Sequence, residues 1–327
     1  MVRMLLRLFA IRILLLGLLL VPLAQNVQDA HAARRLVGVI YTAELARYRD
    51  THRTFVRSLA QRGYDSSNLE IMEQFPNADP ISWANAIRKF MGLNADLIVT
   101  YGAPAALAAF KEGAAIPVVF ADVYGPVEIG IATNLTRPAA NLTGISSKVP
   151  LVTLLKMMQD IVPVRHLGVI YSSREAGSLV QLKELRRVSA QLGISLEEYN
   201  LMTQAGFDAG LSALLPKVDG LLVTECTVAS RNFERIIRKA TDAKVPVLTM
   251  IPDSASHGAL ISLEVSTAEQ GQIAAEQAAR ILGGVKADTV PIATPKKIEL
   301  LINMKAARIL DLQVPFSVLS NATKIIK

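Results

Sequence analysis

Leu167-Gly168-Val169-Ile170-Tyr171-Ser172-Ser173 nearly repeats Val37-Gly38-Val39-Ile40-Tyr41-Thr42, and this echo decides the fold. It continues in order. Asp96-Leu97-Ile98-Val99-Thr100 is answered by Asp219-Gly220-Leu221-Leu222-Val223-Thr224, and Ala115-Ile116-Pro117-Val118-Val119 by Lys244-Val245-Pro246-Val247-Leu248. The pairs Gly38/Gly168, Thr100/Thr224 and Val118/Val247 lie 130, 124 and 129 residues apart, so one architecture follows another of the same kind. Each matched segment is a short apolar run without polar alternation, the pattern of a parallel strand buried on both faces. Between them, residues 44–62, 82–91, 179–192 and 207–215 carry helical periodicity, and β-α-β units with right-handed crossovers build parallel sheets.

The expected fold is α/β, two Rossmann-like lobes with parallel sheets joined by a multi-crossing hinge. Residues 33–145 with 262–287 are assigned to the N-terminal lobe, and 146–261 with 288–327 to the C-terminal lobe. The apolar stretch 259–265 reads as a crossing between them, 267–282 as an Ala-rich helix, and 300–303 as one more strand. Several crossings make a hinge, because relative motion then needs only a few residues to change dihedrals.

At 327 residues and 51% hydrophobic content the chain can fill two cores. Residues 1–32 read as a cleavable signal peptide: Arg3 and Arg7 precede an apolar run over 13–23, and Ala30-His31-Ala32 supplies the small-x-small cleavage pattern. That run is shorter than the ~20 residues of a spanning helix. The product is expected to be a periplasmic monomer with no membrane span after cleavage, and without a cysteine at the cleavage site no lipid anchor is expected either. Cys226, the only cysteine, cannot form an intramolecular disulfide and reads as filler in a wall. Net charge falls from +7 to +5 once residues 1–32 are removed. The remaining basic residues are scattered among acids with few aromatics, so no nucleic-acid partner is expected.

The candidate site residues follow from the strand order, since open α/β sheets bind ligands beyond the carboxyl ends of their strands. Thr42, Thr100, Ser172 and Thr224 occupy those ends. Gly102 and Ala103 leave backbone bare before a helix opening at Pro104, and exposed N–H groups there attract an anion; a tight turn serving only the fold gives the same pattern. After the fourth strand, Asp122 is placed to meet a cation and Tyr124 to offer a ring face, or either to cap a helix. In the second lobe Ser173 and Ser178 lie in a polar loop, with Ser178 also a candidate helix cap. Glu225 is placed to neutralise an ammonium group or to cap, and Asp253 is a second acid. His257 reads as structural. The chain contains no P-loop, metal-spaced His/Cys set or Gly-x-Ser-x-Gly elbow, and neither an enzymatic activity nor a cofactor is expected.

Together these residues resemble the periplasmic ABC transporter substrate-binding proteins of the tryptophan/tyrosine-binding type, which have the type I periplasmic binding protein fold. The resemblance rests on Tyr101-Gly102-Ala103-Pro104-Ala105-Ala106-Leu107-Ala108-Ala109, Ile116-Pro117-Val118-Val119-Phe120-Ala121, Asn141-Leu142-Thr143-Gly144-Ile145-Ser146, the organising strand, Thr227-Val228-Ala229-Ser230, and Leu301-Ile302-Asn303 with Ala306-Ala307. It implies a clamshell that captures a small solute, often an amino acid, and delivers it to a membrane permease driven by an ATPase; Thr227 joins the site by position. Tyr124-Gly125-Pro126 stands where many relatives have Thr-Asp-Pro, and Gly177-Ser178 replaces a common Asn-Ser ending. The alternative is the same clamshell used as an exported sensor reporting to a membrane kinase or cyclase.

Overall fold

The structure is a computed structural model and describes residues 34–138 and 140–327. The signal-peptide reading lies outside the described residues. The first sheet contains β1 (Arg35–Tyr41), β2 (Leu69–Gln74), β3 (Leu97–Tyr101), β4 (Val118–Val123) and β5 (Leu142–Ser146), all parallel, in the order β2-β1-β3-β4-β5. Its connections are α1 (Ala46–Ala60), α2 (Pro80–Gly92) and α3 (Ala103–Lys111).

The second sheet holds β6 (His166–Tyr171), β7 (Ser195–Asn200), β8 (Gly220–Val223), β9 (Val247–Thr249), β10 (Ile261–Val265), β11 (Ile298–Asn303) and β12 (Lys324–Ile326). Its order is β12-β11-β10-β9-β8-β6-β7. Helices α4 (Leu151–Ile161), α5 (Ala176–Leu192), α6 (Phe207–Leu214), α7 (Thr227–Arg231) and α8 (Phe233–Asp242) connect these strands, α9 (Thr267–Leu282) returns to the first sheet, and α10 (Met304–Ile309) and α11 (Phe316–Asn321) close the second lobe. The run β2-β1-β3-β4 matches β7-β6-β8-β9, which is the doubling that the sequence echo announces.

Both faces of the central strands are buried, as unalternated apolar runs require. Val37 and Val39 pack with Phe55 and Ala278 on one face of the first sheet, while Ile40 and Ile98 pack with Ile87 and Phe90 on the other. In the second sheet Leu167 and Val169 face α4 and α5, and Ile170 and Leu221 face Phe207 and Ile236. The repeated glycine of the two opening strands is a packing device. A Cβ on Gly38 would stand 2.4 Å from the Phe90 ring, and one on Gly168 would stand 3.0 Å from Leu221.

Strand pairing moves the crossings from where the sequence puts them. Ile261–Val265 is parallel to β9 and antiparallel to β11, so it belongs to the second sheet; the segment is apolar because it is a central strand. The crossing therefore falls at Ser266, which caps α9 by accepting from the Glu269 N–H. Residues beyond 287 still serve the first lobe: Thr143 Oγ1 donates to the Val290 carbonyl at 2.7 Å, and the Ser146 N–H donates to the Ala293 carbonyl at 2.9 Å. The antiparallel β11 departs from the all-parallel expectation. β5 was not anticipated as a strand because Gly144 interrupts its apolar pattern; a Cβ there would meet the Phe120 carbonyl at 2.1 Å.

Helix α9 lies against α1 so closely that a Cβ on Gly271 would approach the Thr51 carbonyl oxygen to 2.4 Å. Backbone cannot yield as a flexible side chain does, so Gly271→Ala is expected to cost about 1–3 kcal/mol of stability, read as a lower urea midpoint. Gly92→Ala, which meets nothing within 4 Å, is the control and should stay within about 0.5 kcal/mol of the parent.

Candidate functional site

Arg47 lies one and two helical steps from Thr51 and Phe55, which places a charge on the buried face of α1. Its guanidinium reaches three ways. Nε donates to Asp122 Oδ2 at 2.7 Å, Nη2 to the Tyr48 hydroxyl at 3.2 Å, and Nη1 to Ser230 Oγ of α7, in the facing lobe, at 3.1 Å. The Arg47 and Asp122 side chains are only 7% and 5% exposed. Asp122 is held at the end of β4 in the left-handed region (φ 56°), where a residue other than glycine is uncommon. Its N–H donates to Gln270 Oε1 of α9 at 2.8 Å, while its Oδ1 is buried without a hydrogen-bond partner among the described residues.

The second lobe brings two more carboxyls. Glu175, at the N-cap of α5, accepts from the Thr227 N–H at 2.7 Å and from Thr227 Oγ1 at 3.2 Å. Glu225, between β8 and α7, is clamped by Gln181: Gln181 Nε2 donates to Glu225 Oε2 at 2.7 Å, and the Glu225 N–H donates to Gln181 Oε1 at 2.8 Å. The lobes close tightly here because the facing residues are small, a Cβ on Gly177 standing 3.5 Å from that of Ala103. Arg47, Tyr48, Ala103, Asp122 and Tyr124 of the first lobe and Glu175, Gly177, Ser178 and Glu225 of the second enclose a slot of about 20 Å³, room for about one water. Arg47 also lines a larger cavity of about 740 Å³ between the lobes, together with Leu45, Ser230, Phe233, Asp253 and Glu264.

Burial without enough positive charge governs the electrostatics. Glu225 is pushed up to about 8, first by burial and then by the charge of Asp122, against the opposing pull of Arg47 and Gln181. Burial likewise raises Glu175, opposed by its bonds from Thr227, and takes Glu264 on β10 to about 7. Burial alone would lower the Arg47 value; Tyr48, Asp122 and Glu225 more than offset it and keep the guanidinium charged.

The structure gathers Ala103, Asp122, Tyr124, Ser178 and Glu225 at the slot. Thr227 stands behind Glu175 as its donor. Gly102 lies beneath Tyr48, whose hydroxyl a Cβ there would meet at 2.3 Å. The strand-end hydroxyls are turned to the fold. Thr42 Oγ1 accepts from the Ala105 N–H at 3.2 Å, and Thr224 Oγ1 donates to the Ile170 carbonyl at 3.0 Å. Thr100 Oγ1 is buried without a hydrogen-bond partner among the described residues. Ser178 lies inside α5 and is not its cap; its Oγ accepts from the Ser172 N–H at 2.9 Å and lies 2.7 Å from Thr224 Oγ1. Ser173 is exposed and bonded to Asn200, and Asp253 lines the larger cavity. Tyr124 is 2% exposed and donates across the lobes to Glu184 Oε2 at 3.1 Å. Cys226 is buried and its thiol pushed up to about 12, mainly by that burial. Arg47, Tyr48 and Glu175 escaped the sequence reading. A charge in register with Thr51 and Phe55 on a helix was the available signal for the first.

Two α/β lobes with a walled gap between strand-end loops define a solute-binding protein of the type I periplasmic fold. The chain belongs to the ABC transporter substrate binding protein family, whose profile matches residues 37–326. Among curated relatives it is 25% identical over 291 residues to a tyrosine-binding protein of Clostridioides difficile, covering 88% of this chain and 84% of that one. Among solved structures it resembles a conserved domain protein from Vibrio cholerae at 28% identity and TM-score 0.85, covering 89% of this chain and 99% of that chain. A Streptococcus pneumonia ABC domain in complex with L-Trp matches at 22% identity and TM-score 0.86, covering 90% of this chain and 100% of that chain. The ligand-free, open structure of a substrate-binding protein with adhesive properties from Clostridium difficile matches at 25% identity and TM-score 0.68, covering 90% and 99%. Among the described residues no helix is long and apolar enough to cross a membrane.

Removing Arg47 strands the buried Asp122 carboxylate, so Arg47→Ala is expected to lose about 3–5 kcal/mol in urea unfolding. The uncharged pair Arg47→Met with Asp122→Asn, whose amide side chain tolerates the left-handed backbone at position 122, should lose less. Glu225 and Glu264 bind protons in the folded chain at pH values where ordinary carboxyls near 4.5 have released them. Their contribution to stability is therefore fully present below about pH 4.5 and is lost progressively as pH rises to about 8. The parent is expected to melt lower at about pH 8.5 than at about pH 5.5, and the difference should shrink in Glu225→Gln; an equal pH response in parent and variant would contradict the assignment.

Proposed function

We propose that this chain is the exported, periplasmic solute-capturing component of an ABC importer, holding a small organic solute with an amino group between its lobes and presenting the closed form to a permease and its ATPase. The observation that carries the reading is the slot itself. Arg47 and Asp122 from one lobe and Glu175 and Glu225 from the other form its walls only when the lobes are together. A solute touching both walls favours closure by its differential affinity for the closed state, and no bond need be made or broken. The higher TM-score against the L-Trp complex than against the open relative supports reading this arrangement as closed. The amino-acid class draws support from the tyrosine and tryptophan named for the relatives, and from the carboxyls that face the slot. The hinge proposed for closure comprises residues 147–150, Ser266 and residues 294–297, the segments between the two sheets. Before capture the protein acts as a monomer.

Mass spectrometry of material released on denaturing the purified protein is expected to identify such a solute. Added back to stripped protein at about a hundredfold excess over its Kd, it should raise the Tm by roughly 5 °C or more and reduce the radius of gyration in solution scattering. A stripped protein whose Tm and radius ignore amino acids, nucleosides and sugars alike would count against the reading.

A further inference from the structure

The slot has three carboxyls against one guanidinium, and burial leaves Glu225 protonated until about pH 8, so the surplus acid is met by a proton that an ammonium group can replace. Arg47 is the guanidinium that lines it, against the carboxyls of Asp122, Glu175 and Glu225. Glu175 already has two donors from Thr227, and Arg47 engages only one oxygen of Asp122. The other, Oδ1, belongs to a residue 8% exposed and has no partner among the described residues. Glu225 is fixed by Gln181 within electrostatic reach of Asp122. An unmatched buried acceptor beside an excess of acid calls for a positively charged group with several donors. Among the described residues no grouping of three or more His, Cys, Asp or Glu side chains could hold a metal ion, which favours an organic cation.

A zwitterionic amino acid with a neutral side chain brings a carboxylate along with its ammonium group and adds a further acid to a site that already has three carboxyls. A solute with net positive charge replaces the proton without adding another acid. We propose that the solute this chain retains is a cationic amine, with an ammonium group between Asp122 Oδ1 and Glu225 and the rest of the molecule extending past Arg47 into the larger cavity. This rests on the solute-binding reading above and departs from the tryptophan and tyrosine of the named relatives. The slot has room for about one water, the size of an ammonium head, whereas the cavity beyond Arg47 lies within the range of ordinary ligand sites. That cavity has both signs of charge, Arg231 and Lys324 as well as Glu264 and Glu299, so charge preference is set in the slot.

The test is calorimetric titration of stripped protein with L-lysine, L-arginine and putrescine against L-leucine, L-tryptophan and L-tyrosine. At least one cationic probe is expected to bind about tenfold or more tightly than any zwitterion, with affinity that weakens as salt is raised. Glu225→Gln, of the same shape and still able to meet Gln181, should weaken that binding by about tenfold or more. Should it fail to fold, Asp122→Asn takes its place, and the probe panel on the parent stands by itself. Failure of all three cationic probes overturns the inference, as does unchanged affinity in a folded variant. Tight binding of an aromatic zwitterion in their place overturns it while leaving the carrier reading intact.

Discussion

A guanidinium removed from water must be surrounded by opposite charge, and in this molecule that requirement is met where the two lobes meet. Arg47 is anchored in its own lobe by Asp122 and reaches Ser230 in the other. Glu225, brought in by the second lobe, adds to the field that keeps Arg47 protonated. With effective dielectric values far below that of water, such contacts are strong when complete and costly when one member is missing. The site is therefore one electrostatic unit spread over two lobes. Its members are enclosed where the lobes meet, and burial there demands that their charges be matched.

The scaffold makes this assembly possible by repetition. The same strand order in both sheets directs the carboxyl ends of β4 and β8, and the loops that follow them, toward one gap. Helix α9 leaves the second sheet at Ser266, packs on α1 and supplies Gln270 to the Asp122 N–H. A chain segment adjoining the lobe crossing thus holds the residue that carries the central carboxylate. Ser266 and Asp122 are joined through one helix, and the bare Gly271 surface fixes how closely that helix lies on α1.

Much of this is legible in the sequence. The Gly38 and Gly168 strands, the helix over 267–282 and the placing of Asp122, Tyr124 and Glu225 at strand ends all follow from apolar patterning and from the rule that ligands gather at strand ends. Other features were hidden for identifiable reasons. Residues 261–265 have the composition of a strand but read as a crossing, because sequence does not state which sheet a strand joins. The threonines at the strand ends looked like ligand contacts, yet Thr42 and Thr224 satisfy backbone groups within their own lobe. Short hydroxyl side chains bond equally well to a solute or to a nearby carbonyl.

Local pattern by itself determined the α/β class, the doubling and the strand-end address of the site, because burial on two faces and helical periodicity are written into neighbouring residues. Only the tertiary structure decided which charges meet. Arg47, Asp122, Glu175 and Glu225 are separated by up to 178 positions in sequence, and nothing local encodes their encounter. Charge compensation in a buried gap is a property of the packed lobes, and it exists only where both have folded and face each other.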